Sequence, residues 1–130
     1  MKKSLLLITA VIIIASCKKD KVKPSSISVF GKWELGRSYG SLPQPMEVAP
    51  GNGDIYVLNT DSTYVRYIDN VVQHQGKFSI QITEARDSIR FGVISFTNPT
   101  AQEPFQIRSK TILFGSNIAD GGLYEYRKLH

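Results

Sequence analysis

The side chain best suited to covalent chemistry is Cys17, the single cysteine of the 130-residue chain. It directly follows the small residues Ala15 and Ser16, which let a peptidase fit the backbone closely. Ahead of them runs an apolar stretch, Leu5 to Ala15, 11 residues broken only by Thr9. As a helix this stretch rises about 16 Å. A bilayer span needs about 20 apolar residues, so with Lys2 and Lys3 before it the run reads as a secretory leader rather than a transmembrane helix. With no second cysteine, no intrachain disulfide can form, although an exported chain could have used one.

Other reactive residues do not assemble into a recognisable constellation. His74 sits in the polar stretch Gln73–Gln75 and is expected to be solvated, and His130 is the last residue. Glu84 and Asp87 fall in an expected turn and read as surface carboxylates. Pro50-Gly51-Asn52-Gly53 is a turn, since no helical pattern follows it to hold a phosphate. The chain has no Gly-x-Ser-x-Gly elbow, no His-Glu-x-x-His and no Walker or dinucleotide glycine pattern. The expectation is a protein that is not an enzyme and has no metal or cofactor.

The tetrad Ile14-Ala15-Ser16-Cys17 resembles the lipobox of bacterial lipoproteins, with Ile14 where that family usually carries Leu. The resemblance covers residues 1–17. It implies cleavage before Cys17, a diacylglycerol thioether on its sulfur and acylation of its freed amine. Two or more acyl chains hold a protein stably on a membrane where one does not. The alternative is an ordinary secretory leader with a chance cysteine. On the first reading, residues 1–16 are a signal peptide and residues 17–26 are the acylated cysteine and a tether. That tether, KKDKVKPSS after Cys17, has one apolar residue, Val22, and cannot bury enough surface to fold. Its four lysines either lie against lipid head groups, at about 1 kcal/mol each on an anionic surface, or simply keep it solvated. Acidic residues just after the acylated cysteine resemble a surface-export signal in some didermic bacteria. Only Asp20 is acidic here, so the expected location is the outer membrane facing the periplasm.

The formal charge of +5 belongs to these segments. Removal of residues 1–16 leaves +3 (14 basic, 11 acidic residues), and from Phe30 onward there are 10 basic and 10 acidic residues. Such a balance gives no basic surface for nucleic acid.

Residues 27–130 have the length of one domain able to bury a core, and all 13 aromatic residues lie there. Short runs rich in β-branched and aromatic residues alternate with turn residues. They predict strands at Gly31–Arg37, Asp54–Leu58, Thr63–Ile68, Gly76–Ile80, Asp87–Phe91, Val93–Phe96, Pro104–Arg108, Thr111–Phe114 and Leu123–Leu129. Asn59-Thr60-Asp61-Ser62, Asp69-Asn70, Asn98-Pro99 and Asp120-Gly121-Gly122 separate them. Single helical turns are expected only at Ser26–Phe30 and Thr83–Arg86. Evenly spaced short strands predict an all-β domain, a barrel or sandwich.

Gly31-Lys32-Trp33 at the first strand resembles the opening of the lipocalins and of small lipocalin-like bacterial lipoproteins. Leu58 to Tyr64 is similar to the F-x-x-D-G-T-Y hairpin of the bacterial group, with Ser62 in place of Gly. Gly76-Lys77-Phe78-Ser79-Ile80 and Asp120-Gly121 through Tyr124-Glu125-Tyr126-Arg127 match its later strands. The resemblance implies a small antiparallel up-and-down β-barrel of about eight or nine strands, with an interior able to hold one small ligand. It also implies a basic residue stacked across Trp33 at the closed end. Arg127 or Lys128 would play that role, and alternation puts these two on opposite faces. In lipocalins the first long connection, here Ser38 to Gly53, folds across the barrel mouth, which would bring Leu42, Met46 and Val48 to the entrance, against the alternative that these residues simply pack on the rim.

Alternation from Trp33 and Leu35 places Leu58, Tyr64, Arg66, Phe78, Ile80, Phe91 and Tyr126 inside. Of these, Leu58, Tyr64, Arg66, Phe78, Phe91 and Tyr126 are the candidate ligand-binding residues, against the alternative that each is plain core. Arg66 would meet a ligand carboxylate or an internal acid, or simply lie at a strand end. The expected protein is a monomer, held on the membrane through Cys17, binding a small hydrophobic or amphipathic molecule. The competing reading is a protein-interaction or inhibitor module working through its loops on an envelope partner, or a purely structural envelope accessory.

Overall fold

The computed structural model describes residues 27–40, 43–115 and 122–130. The leader, Cys17 and its tether, Leu42 and the Asp120-Gly121 pair lie outside the described residues. Nine strands run in chain order: β1 (Gly31–Tyr39), β2 (Met46–Glu47), β3 (Ile55–Leu58), β4 (Thr63–Ile68), β5 (Val71–Arg86), β6 (Ile89–Phe96), β7 (Ala101–Ile107), β8 (Thr111–Gly115) and β9 (Leu123–Lys128). From β3 onward each pairs antiparallel with the next, β1 pairs with β3, and β1 closes on β9 with Trp33 opposite Lys128. The result is a closed up-and-down barrel of eight strands, with β2 added as a short ninth beside Arg37 and Ser38 of β1.

Local chemistry sets the reversals. Asp69 and Asn70 both take positive φ, 52° and 63°, and join β4 to β5 as a two-residue hairpin with Ile68 opposite Val71. Short polar side chains tolerate that left-handed geometry, which matches the strand twist. In the β3–β4 turn the Asp61 carboxylate accepts the Thr63 backbone N–H at 3.0 Å, fixing the chain just before Tyr64 turns inward.

Inward residues alternate along each strand, and their side chains fill the barrel. Trp33, Leu58, Tyr64, Phe78, Ile94, Phe96, Phe105, Ile107, Ile112, Phe114 and Tyr126 form one buried cluster. One end of the barrel is sealed. There Ile27 and Val29 pack against the cluster, the Val29 carbonyl accepts the Trp33 indole N–H at 2.8 Å, and the Lys128 ammonium lies 5.2 Å from the indole ring. The opposite end carries Asp54, the Asp69-Asn70 hairpin, Gly115 and Gly122, and among the described residues it is open.

Several expectations need correction. The two strands expected at Asp87–Phe91 and Val93–Phe96 are one, β6, running straight through Gly92. Thr83–Arg86 is not a helical turn but the end of β5, which spans 16 residues, pairing first with β4 and then with β6. Residues 27–30 form no regular element. The described part of the connection after β1 does not roof the mouth. Residues 46–52 instead run along the outer wall, where the Val48 N–H donates to the Gly36 carbonyl and the Asn52 amide to the Leu35 carbonyl. Met46 is 60% exposed, and neither it nor Val48 reaches the interior opening.

Candidate functional site

At the open end the barrel encloses a cavity of about 650 Å³. Its wall comes from five strands and the segments beside them: Asp54 and Tyr56 at β3, Arg66 on β4, Glu103 and Pro104 on β7, Phe114 and Gly115 on β8, and Gly122, Tyr124 and Tyr126 at β9. A smaller pocket of about 80 Å³ adjoins it, shares Tyr56, Arg66 and Glu103, and adds Tyr64, His74, Phe96, Pro99 and Ala101.

Period-2 alternation explains why these side chains converge. Asp54 and Tyr56 share parity with buried Leu58, Arg66 with buried Tyr64, Glu103 with buried Phe105 and Ile107, and Tyr124 with buried Tyr126. Toward the sealed end these positions are apolar. Toward the mouth they become acidic, basic and phenolic, so one set of strands builds a dry core and a polar cup.

Within the cup, the Arg66 guanidinium makes a two-pronged ion pair with the Asp54 carboxylate. It also lies 4.3 Å from the Tyr56 ring centre and 5.5 Å from that of Tyr126. Burial works against the Arg66 charge, and Tyr126, Tyr56 and Asp54 outweigh it and hold the group above its ordinary value. The Tyr126 hydroxyl donates to Asp54 Oδ1 at 3.4 Å. Burial also raises the Tyr56 hydroxyl above its ordinary value and pushes that of Tyr126 far above it, which favours the neutral phenol at both. Tyr56 is the hub of the aromatic floor, with ring centres of Phe114, Tyr126 and Phe96 at 5.2, 5.3 and 5.7 Å. Charge and hydroxyl groups thus sit on a rigid apolar base, the usual composition of a small-molecule site.

Among the residues singled out from sequence, Arg66 and Tyr126 line the main cavity and Tyr64 the smaller pocket. Tyr64 is fixed there by donating its hydroxyl to the Thr97 carbonyl at 2.6 Å. Leu58 and Phe78 point inward but are buried in the packed core, away from both openings. Phe91 lies on the other face of β6, sharing parity with Val93 and Ser95 rather than with buried Ile94 and Phe96, and the Arg86 guanidinium sits 5.8 Å from its ring. It was misplaced because Gly92 looked like a break, which reset the alternation. The basic residue over Trp33 is Lys128; Arg127 faces outward and pairs with Glu34.

Sequence reasoning missed Asp54, Tyr56, Glu103, Phe114 and Tyr124. The signal was present in the parity of Asp54-x-Tyr56-x-Leu58 and of Tyr124-x-Tyr126. Among the described residues, no three His, Cys, Asp or Glu side chains come together to hold a metal ion.

Fold and site together define a small closed antiparallel β-barrel with a polar, aromatic cup at one end. No protein-family model, curated protein or solved structure matches the chain.

Proposed function

We propose that this protein is a lipid-anchored envelope protein whose lipocalin-like barrel binds one small amphipathic molecule in the cup. The observation that carries the binding half is the 650 Å³ cavity at the mouth of an otherwise packed barrel. Small barrels either fill their interior with side chains or hold one small ligand, and this one does the first at the Trp33 end and the second at the Asp54 end. An apolar group rests on Tyr56, Phe114 and Pro104, and a polar group meets Arg66, Asp54, Glu103 and the tyrosine hydroxyls. The anchoring half rests on the lipobox-like tetrad ending at Cys17. The tether then holds the barrel on the periplasmic side of the outer membrane. In this reading the protein carries or sequesters its ligand and catalyses nothing.

The test is native mass spectrometry of the full chain purified from membranes, beside a Cys17→Ser variant. The expected spectrum shows a covalent diacylglyceryl mass absent from Cys17→Ser, and a non-covalent small molecule that is lost in Phe114→Ala. An unmodified Cys17 would sink the anchor. An adduct-free protein that also ignores added amphiphiles would sink the carrier.

One observation favours a second reading, a protein-interaction module. The β4–β5 hairpin at the mouth exposes three apolar side chains, Ile68 at 40%, Val71 at 58% and Val72 at 48%. A protein partner gripping that tip would protect them in hydrogen exchange without occupying the cup.

A further inference from the structure

The charge balance of the cup selects among amphiphiles. Among the described residues its one arginine, Arg66, is already neutralised by Asp54 through two contacts and is covered by the Tyr56 and Tyr126 rings. No lysine among the described residues lines either opening, and His74 reaches only the smaller pocket. Glu103 remains. Its side chain lines both openings and has no hydrogen bond or ion pair among the described residues. Counted over the described residues of its lining, the cup carries one positive group, Arg66, and two negative groups, Asp54 and Glu103.

An incoming carboxylate would face that net negative charge. To reach Arg66 it would have to displace Asp54 and leave a mostly buried carboxylate unpaired, which is strongly unfavourable. A neutral hydroxyl gains at most one hydrogen bond from Glu103 and no charge attraction. A cation gains twice: from Glu103, and from aromatic faces, whose quadrupole attracts positive charge. The chain already shows that preference, since its own guanidinium occupies two of the tyrosine faces. Phe114 and Tyr124 line the same space with no cation over either ring among the described residues. Tyr124, 44% exposed, stands at the entrance with Gly122 against its ring.

We propose that the ligand is an organic cation, an amine or quaternary ammonium on an apolar body, with its charge seated against Glu103 at the mouth and its body on Phe114, Pro104 and Tyr124. This rests on the carrier reading above and narrows it to one chemical class.

The experiment is calorimetric titration of the full chain in lipid nanodiscs, with empty nanodiscs as reference. The probes are hexyltrimethylammonium, heptanoate and hexanol, which share one apolar body and differ in charge. The ammonium is expected to bind about tenfold more tightly than the other two, a difference of the size that one carboxylate and one ring face supply in a partly shielded site. Glu103→Gln should remove most of that preference while hexanol still binds, and Tyr124→Leu should reduce it a few-fold. Because hexanol reports on the intact cup, a misfolded variant would be recognised by its loss. Heptanoate or hexanol binding as tightly as the ammonium, or an ammonium preference untouched by both variants, overturns the cation while leaving the carrier. Failure of all three probes to bind the wild-type chain overturns both.

Discussion

Glu34 is buried to 3% exposure on the outside of the barrel wall, where a charged side chain would ordinarily be wet. Its carboxylate is fully engaged. Oε1 accepts the Gly51 backbone N–H at 2.7 Å, and Oε2 accepts Arg127 Nη2 at 2.9 Å and Nε at 3.1 Å. One residue therefore ties β1 to β9 at the barrel's closure and clasps the connection after β2 over both. Removing it leaves Arg127 without its partner, but that side chain is 33% exposed and water recovers part of the loss. Glu34→Ala should then cost about 2 kcal/mol, and Glu34→Gln about half as much, read as urea midpoints. A change under about 0.5 kcal/mol for Glu34→Ala would mean the clasp contributes nothing to stability. Sequence alternation placed Trp33 inward, and so Glu34 outward. It left open which basic residue reaches the indole, because that depends on the register between two strands about 90 residues apart. The pairing of Trp33 with Lys128 settles it and frees Arg127 for Glu34.

At the scale of elements, legibility follows solvent. β3, β4 and β9 are short runs rich in β-branched and aromatic residues beside turn residues, and that composition showed them almost to the residue. β5 showed itself only in its middle, at Gly76–Ile80. Most of its other side chains are exposed, including Gln73, His74 and Gln75 and the whole run from Gln81 to Arg86, so backbone pairing holds its two ends and no apolar stripe marks them. β2 is two residues between prolines and exposed side chains, for the same reason invisible. Gly92 misled in the other direction. It is not a break but a point of close approach: a Cβ there would lie 2.2 Å from the Gln81 carbonyl oxygen and 2.9 Å from the Phe105 ring, beside the register shift between Ile82 and Glu84. Glycine in a strand interior has this use. Gly92→Ala should accordingly destabilise by about 3 kcal/mol, since backbone on one side and core on the other cannot move aside. A urea midpoint within error of wild type would show that the β5–β6 pair breathes far more than its hydrogen bonding suggests.

For the whole molecule, the division into a sealed apolar end and an open polar end makes alkaline pH a probe of how dry the cup's floor is. Tyr126 is 3% exposed, and its hydroxyl is pushed far above the ordinary tyrosine value of 10.0, first by burial, against which the nearby Arg66 charge works. In the unfolded chain the same group ionises near its ordinary value. The folded state therefore keeps a proton that the unfolded state gives up. The stabilisation is present in full below about pH 10 and declines as pH rises past it, by up to about 1.4 kcal/mol per pH unit for this one residue. Every other ionisable group is common to wild type and variant, so the informative quantity is the difference between the two proteins. Tyr126→Phe should start somewhat less stable at about pH 8, having lost the bond to Asp54, and should then lose stability more slowly than wild type as pH climbs toward about 11. Parallel slopes, measured by urea denaturation across that range, would mean that Tyr126 ionises in place with water beside it. The Arg66–Asp54 pair would then lie in a wetted channel, and the cup would hold its ligand by charge with little help from desolvation.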